Sequence, residues 1–456
     1  MDDSKLSLGV KLGYGVCDFG GNVFFNATAF VLLNYLTDTV GLAAGLAGIA
    51  LMIGRLWDAF FDPVMGFISD RTVTKMGRRR PYILFGAFPL FISMVIMFTN
   101  PSLVFGAGIS QTALFAYTLI VYTILCTAYS TVNIPYTALA PELTSNYNER
   151  TSLHGYRSGF AVTGTLVGAG AALPIVALCQ DKNMGFILMG LIFGGTMLAS
   201  ALITVFTVRE PADLKPATSM SFLKTYREVF KNKPYVLILF TFIFCIVGMT
   251  IISGIAIYYF KYILDAENMT TPGILISLVT AVLFVPVSVF MSKKLGKKLA
   301  YAIGLLTLAA ALMVIFCFGQ TMGLNFILVM MFFIGIGFGL TYVPPYSILA
   351  DAIEYDYLKV GERREGAFLG IWTWGYKISQ ALAVFLIGVV LQYMGYVANV
   401  MPQPESVQFS IRLFLGPIAA ALYTGSAIFL YFYPITEKRY KEIREQITAM
   451  ETEKTR

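Results

Sequence analysis

GLAAGLAGIALMIGRLWDAFFDPVMGFISDRTVTKMGRRRP, residues 41–81, is a long apolar run with Arg55, Asp58 and Asp62 at its centre, closed by the basic turn Gly77-Arg78-Arg79-Arg80-Pro81. About 20 apolar residues cross a bilayer as a helix, so the run predicts a membrane span. At about 100° per residue the three charges share one stripe, while Trp57, Phe60 and Phe61 take the opposite side. Each carboxylate costs roughly 2.5–3.5 kcal/mol to place at the centre of a membrane helix, and the two repel each other at i and i+4. Such a pair marks a polar cavity. A cation or a proton held between Asp58 and Asp62 relieves the repulsion, because hard oxygen ligands suit sodium and a shared site favours one protonated carboxyl. The plainer alternative is a structural triad in which Arg55 merely neutralises both acids.

The rest of the chain has the composition of a scaffold for that helix. Of 456 residues, 57% are hydrophobic and 13% charged, which excludes a soluble globule. About twelve runs have spanning length: 9–37, 41–69, 82–100, 110–141, 155–180, 184–208, 234–263, 272–292, 299–319, 323–352, 366–396 and 408–434. They lack sustained alternation, so the expected class is an all-α integral membrane protein rather than a barrel. The expected organisation is a six-helix bundle over 1–208, a cytoplasmic middle loop over 209–233, a second six-helix bundle over 234–436 and a cytoplasmic tail over 437–456. Phe222, Tyr226, Val229 and Phe230 have helical spacing in the middle loop, which suits a short interfacial helix.

The net charge of +7 reports orientation rather than a nucleic-acid partner. Lysine and arginine gather in alternate loops, whereas the opposite loops carry only Lys182 and Lys261. By the positive-inside rule both termini are cytoplasmic, in a multi-pass protein of the cell inner membrane. The five cysteines imply no disulfide framework or metal motif. His154, the only histidine, falls in an expected cytoplasmic loop, which argues against a histidine-based enzyme. No phosphate-binding G-x-x-x-x-G-K-[ST] loop is present, so the chain does not hydrolyse ATP by that motif and no cofactor is expected.

Two further polar stripes accompany the first. Tyr14, Asp18, Asn22 and Asn26 recur at intervals of four in the first span, and Thr123, Thr127, Ser130, Asn133 and Thr137 share a face of the fourth. Such groups either meet a cation or hydroxylated solute or, for Thr123 and Thr127 especially, glue helices together. The chain also repeats itself. Pro63-Val64-x-x-Phe67-x-Ser69 returns as Pro286-Val287-x-x-Phe290-x-Ser292, Pro135-Tyr136-x-x-Leu139-Ala140 as Pro345-Tyr346-x-x-Leu349-Ala350, and Gly155-Tyr156-Arg157 as Gly375-Tyr376-Lys377. Two repeats with a site between them is a transporter's construction. Arg157 and Lys377 become counterparts, and Lys377 shares a face with Gly370, Thr373, Trp374 and Gln380, where the Trp374 ring can stack on a sugar. Asp18, Asp58 and Asp62 balance Arg55, Arg157 and Lys377 in number, although Arg157 has Glu149 as a competing partner.

The pattern Arg55-x-x-Asp58-x-x-x-Asp62-Pro63-x-x-Gly66-x-x-x-Asp70, with Gly77-Arg78-Arg79-Arg80-Pro81, Asn133-Ile134-Pro135-Tyr136, Glu149-Arg150-Thr151 and Arg363-Arg364-Glu365-Gly366, resembles the glycoside-pentoside-hexuronide:cation symporters typified by melibiose permease. The likeness spans nearly the whole chain. It implies a major facilitator fold of twelve helices and cation-coupled uptake of a sugar or glycoside. It implies cation-site roles for Asp58, Asp62 and Ser130, with Asn133 beside them, substrate contacts from Asp18 and Arg157, and a charge-network role for Lys377. Asn133 stands where melibiose permease has a sugar-binding aspartate and Thr137 where it has a tryptophan, which points away from galactosides and toward the pentoside and hexuronide branches.

The expected mechanism is alternating access by a monomer. Sodium or a proton binds at Asp58 and Asp62, and the sugar is held across Asp18, Asn22, Asn133, Thr137, Arg157, Trp374 and Lys377. Arg55 belongs to the charge network, and Asp70, Arg78, Arg79 and Arg80 form a gate expected to pair with the other half near Glu142 or Glu354. A lysophospholipid transporter on the same fold and, further off, a membrane-embedded enzyme using Asp58 and Asp62 as an acid/base pair are the alternatives.

Overall fold

The computed structural model describes residues 6–106, 108–144, 146–210, 228–361 and 364–455, and all regular structure among them is helical. The helices are α1 (Leu8–Asn34, prolonged by a π-turn over Tyr35–Thr39), α2 (Ala44–Arg71), α3 (Arg80–Met97), α4 (Gln111–Leu143), α5 (Tyr147–Gly170) and α6 (Lys182–Thr207). After residue 228 come α7 (Lys233–Tyr262) and α8 (Thr270–Leu295). The next stretch, Lys297–Tyr342, breaks at Gly323 into two limbs, α9 before it and α10 after. Then follow α11 (Pro344–Val360), α12 (Glu365–Tyr393), α13 (Glu405–Tyr431, with a π-turn over Phe414–Ile418) and α14 (Glu437–Thr455). Ten segments among the described residues are long and apolar enough to cross a membrane, one of them being all of Lys297–Val360.

Several boundaries differ from the apolar runs. The run over 323–352 is cut at Val343, because Pro344 and Pro345 bring no N–H groups to close the preceding turn. At Gly323 the backbone takes φ 71° and ψ −165°, a conformation glycine adopts without strain. There α9 reverses into α10, and Gly304 lies against Leu340 and Gly337 against Leu308. α5 starts eight residues before the fifth run and stops at Gly170, a short helix Ala172–Ala177 following. His154 therefore sits on a helix and not in a loop. The proposed interfacial helix at Phe222 and Tyr226 lies outside the described residues, as does Arg363.

α1 packs on α5 and α6, α4 on α2 and α3, and α3 on α6; later in the chain α7 packs on α12 and α13, and α8 on the α9–α10 hairpin. The two groups meet where α2 lies along α12, α1 against α7 and α5 against α8. Small residues permit the closest of these crossings. A Cβ on Gly388 would come within 2.4 Å of the Ala44 carbonyl and 2.9 Å of the Gly48 Cα.

The last stretch, expected as a plain tail, is the helix α14. Its Ile443 and Ile447 are buried, and its Arg444 meets Glu354 of α11 at 3.0 Å.

Candidate functional site

Asp58 and Asp62 lie one turn apart on α2, the first almost wholly buried. Ser130 of α4 faces both, its Oγ lying 2.5 Å from Asp58 Oδ1 and 2.6 Å from Asp62 Oδ1. Lys377 of α12 closes the other side, with Nζ 2.7 Å from Asp58 Oδ2 and 2.5 Å from Asp62 Oδ2. One ammonium thus occupies the space between the carboxylates, where an i, i+4 acid pair needs positive charge. A hydroxyl has one proton and cannot donate to both acids at once. Ser130 therefore donates to one carboxylate at a time.

Arg55 supplies a second positive charge, held 3.9 Å from Asp58 Oδ2 and lying over the Phe25 and Tyr122 rings at 5.4 and 5.9 Å. It touches one acid of the pair rather than neutralising both. The Phe25 ring in turn stacks on Tyr376 beside Lys377, so α1, α2 and α12 are joined by one chain of contacts. The wet and greasy faces of α2 are as read from the sequence, Phe60 being largely exposed and Trp57 half so. Trp57 donates its indole N–H to Thr127 at 2.9 Å, which makes Thr127 helix glue.

A second charged pair lies along α4. Arg157 of α5 bonds to Asp18 of α1 through Nε, and Tyr136 donates to the same carboxylate oxygen at 3.1 Å. Arg157 also covers the Tyr136 ring at 5.4 Å. Ser130 and Tyr136 are six residues apart on α4, about 9 Å along its axis, so one helix presents a group to each acid centre. Glu149, the competing partner for Arg157, instead bonds Lys11 at 2.9 Å.

The remaining expected contacts are looser. Asn22 bonds the Asp18 carbonyl at 2.8 Å and accepts from Thr165, and Thr137 bonds the Ile134 carbonyl. Asn133 is half-buried and does not share in the bonds at Asp58 and Asp62. Trp374 is about half exposed and takes no part in the ring contacts described, whereas Trp372 is buried and stacks on Phe242 at 4.0 Å. A cavity of about 100 Å³ adjoins Tyr376, lined also by Asn26, Thr165, Ser253 and Gln380.

At the end of α2 nearest the basic turn, Arg79 meets Asp70 at 2.5 Å and Glu142 at 3.0 Å, and Arg78 meets Glu142 at 2.6 Å. Arg80 donates to the Val205 carbonyl. These pairs close among α2, α3, α4 and α6; the expected partner Glu354 is instead held by Arg444 on the docked α14. The same device recurs at the start of α9, where Lys297 meets Asp351 at 2.7 Å.

Two polar arrangements were missed in the sequence. Glu210 accepts the backbone N–H groups of Arg78, Arg79 and Arg80 at 2.6–3.1 Å, capping the turn into α3. At the opposite end of the molecule Asp38 bonds Lys261 and Tyr262 of α7 and Tyr396 beyond α12. The scarcity of charge in those loops was the available signal: Lys261 is one of the two cations there.

Comparison with known proteins agrees with this architecture. The family model described as MFS/sugar transport protein matches residues 13–437. An uncharacterised symporter of Bacillus subtilis is 31% identical, over 97% of this chain and 95% of its own. An uncharacterised symporter of Synechocystis is 28% identical over 98% and 97%, and a glucuronide carrier protein homologue of Escherichia coli 28% over 98% and 96%. Among solved structures the nucleoside transporter NupG aligns with a TM-score of 0.66 at 14% identity, covering 92% of this chain and 99% of its own, which shows the shared fold. The chain therefore belongs to the MFS/sugar transport family, within its glycoside-pentoside-hexuronide:cation symporter branch, and is a multi-pass membrane transporter rather than an enzyme.

Proposed function

We propose that the protein is a cation-coupled symporter that takes up a sugar or glycoside by alternating access. The observation that carries the reading is the site in which Asp58 and Asp62 converge on the Lys377 ammonium while Ser130 faces both carboxylates from the other side. Four carboxylate oxygens and a hydroxyl are a ligand set for sodium, and the same pair can share a proton. Asp18, Asp58 and Asp62 balance Arg55, Arg157 and Lys377, so an incoming cation makes the centre net positive. Such a centre favours a solute rich in oxygen acceptors, and the likeness to a glucuronide carrier homologue supports extending the panel to sugar acids.

In this reading the cation binds at Asp58, Asp62 and Ser130, with Asn133 one turn away. The solute is held from Asp18, Asn22, Asn133, Thr137, Arg157, Trp374 and Lys377, whose hydroxyl, amide, ring and charged groups match a polyol. Twelve spans, counting α5 and both limbs of Lys297–Tyr342, make two six-helix bundles in a monomer of the inner membrane with both termini cytoplasmic. The knot of Asp70, Arg78, Arg79, Arg80 and Glu142 fixes the end of α2 against α3 and α4 and so shapes that bundle's side of the inner gate.

Reconstituted protein in liposomes decides the matter. A sodium gradient and a proton gradient are imposed separately on a radiolabelled panel of pentosides, glucuronides, galactosides and one lysolipid. Sugar or sugar-acid accumulation under one gradient is expected; accumulation of the lysolipid alone, or uptake indifferent to either gradient, would overturn the proposal.

A further inference from the structure

The cluster around Asp38 joins two groups of helices at one end of the molecule. α1 ends in the π-turn Tyr35–Thr39, whose extra residue re-aims Asp38 toward α7. Its carboxylate receives the Lys261 ammonium at 2.5 Å, the Tyr262 hydroxyl at 2.7 Å and the Tyr396 hydroxyl. Asn399 donates to the Asp38 backbone carbonyl at 2.7 Å and accepts from Lys261 at 2.8 Å. Thr37 is bonded to the Tyr258 hydroxyl at 2.8 Å. The Asp38 and Lys261 side chains are 5% and 9% exposed, so the pair is withdrawn from water. Everything on one side comes from the end of α1, and everything on the other from α7 and the turn after α12.

We infer that Asp38 is the latch of an outer gate: it positions α1 against α7 and the 396–399 turn, and all of its bonds across the boundary break together when that end of the transporter opens. The chemistry suits a reversible closure. A buried ion pair roughly breaks even against its hydration, so separation returns Asp38 and Lys261 to water at little net cost, whereas an apolar plug of the same size would resist wetting. The pair gives geometry, and its strength is lost as a unit rather than gradually. Lys377 bridging α12 to Asp58 and Asp62 forms a second, deeper tie between the same two groups of helices. The inference rests on the alternating-access reading, but its test needs no substrate.

Spin labels are placed at Val104 and Val397, both exposed and on opposite sides of the boundary, in a background with the five native cysteines replaced. A control pair at Val104 and Leu178 lies on one side of it. Distances are measured by pulsed electron resonance in nanodiscs. Lys261→Met is expected to raise the longer-distance population of the crossing pair by about tenfold, equivalent to ~1.4 kcal/mol. Tyr396→Phe, which removes one hydroxyl, should shift it in the same direction by less, and Lys261→Arg should restore the short distance. The control pair stays unchanged. A crossing pair that behaves as in the wild type in both Lys261→Met and Tyr396→Phe overturns the latch, as does equal broadening of the control pair. If Lys261→Met does not fold, Tyr396→Phe alone decides. Absence of transport with the distances shifted as expected would count against the symport reading and leave the latch standing.

Discussion

Lys377 is the side chain on which the central site turns. With its ammonium removed, Asp58 and Asp62 face each other with only Ser130 between them and Arg55 3.9 Å from one. Breaking a buried ion pair by deleting one partner costs roughly 3–5 kcal/mol, unless another cation takes the place. Lys377→Met is therefore expected to melt well below the wild type in choline chloride and to regain much of the loss in sodium chloride or at lower pH. A melting temperature indifferent to both would show that the acids do not hold a cation. Asp58→Asn should leave a folded protein whose gradient-driven accumulation ratio falls to unity, read in the same liposomes. The residue types of this site were legible from a period of 3.6 and the cost of charge in lipid, because both are local properties. The resemblance put Lys377 near both sites, but that its ammonium would sit between the acids was not legible, since it lies 315 positions from Asp62 in the chain.

At the scale of elements, helix crossings and turns decide which surfaces meet. Gly48 and Gly388 let α2 and α12 touch, and a Cβ at either position would meet the other helix's backbone within 3.2 Å. Gly48→Leu is expected to hold these ends apart and to lengthen the Val104–Val397 distance even with Asp38 and Lys261 intact; an unchanged distance would show that the crossing can slide. Glu210 presents a different test. Its carboxylate takes three N–H groups at the start of α3, a position where the helix's own partners are missing and negative charge is favoured. Glu210→Ala should lower stability by about 2 kcal/mol, seen as a lower midpoint in thermal unfolding, while Glu210→Gln should recover part of it. The basic turn was plain in the sequence, but its cap was not, because Glu210 follows α6 and approaches only when α3 and α6 pack.

For the whole molecule, the orientation implied by the charge of the loops has a direct check. A cysteine at Arg439, which is exposed on α14, should react with a membrane-impermeant maleimide in inside-out vesicles and not in whole cells. Labelling in cells would invert the assignment. The sequence by itself determined that the chain is a bundle of membrane helices and that α2 carries its charges on one face. It also determined that the chain repeats and belongs with sugar symporters. The helices and the charged face follow from length, period and local composition, the repeat from its recurring motifs, and the kinship from the resemblance of those motifs to a known family. Only the tertiary structure decided which charges pair: Arg157 with Asp18 rather than Glu149, Glu354 with Arg444 rather than the basic turn Arg78–Arg80, and Asp38 with Lys261 across the molecule. An ion pair depends on separations of a few ångströms between groups far apart in the chain, and those separations are set by how helices cross, which no local pattern records.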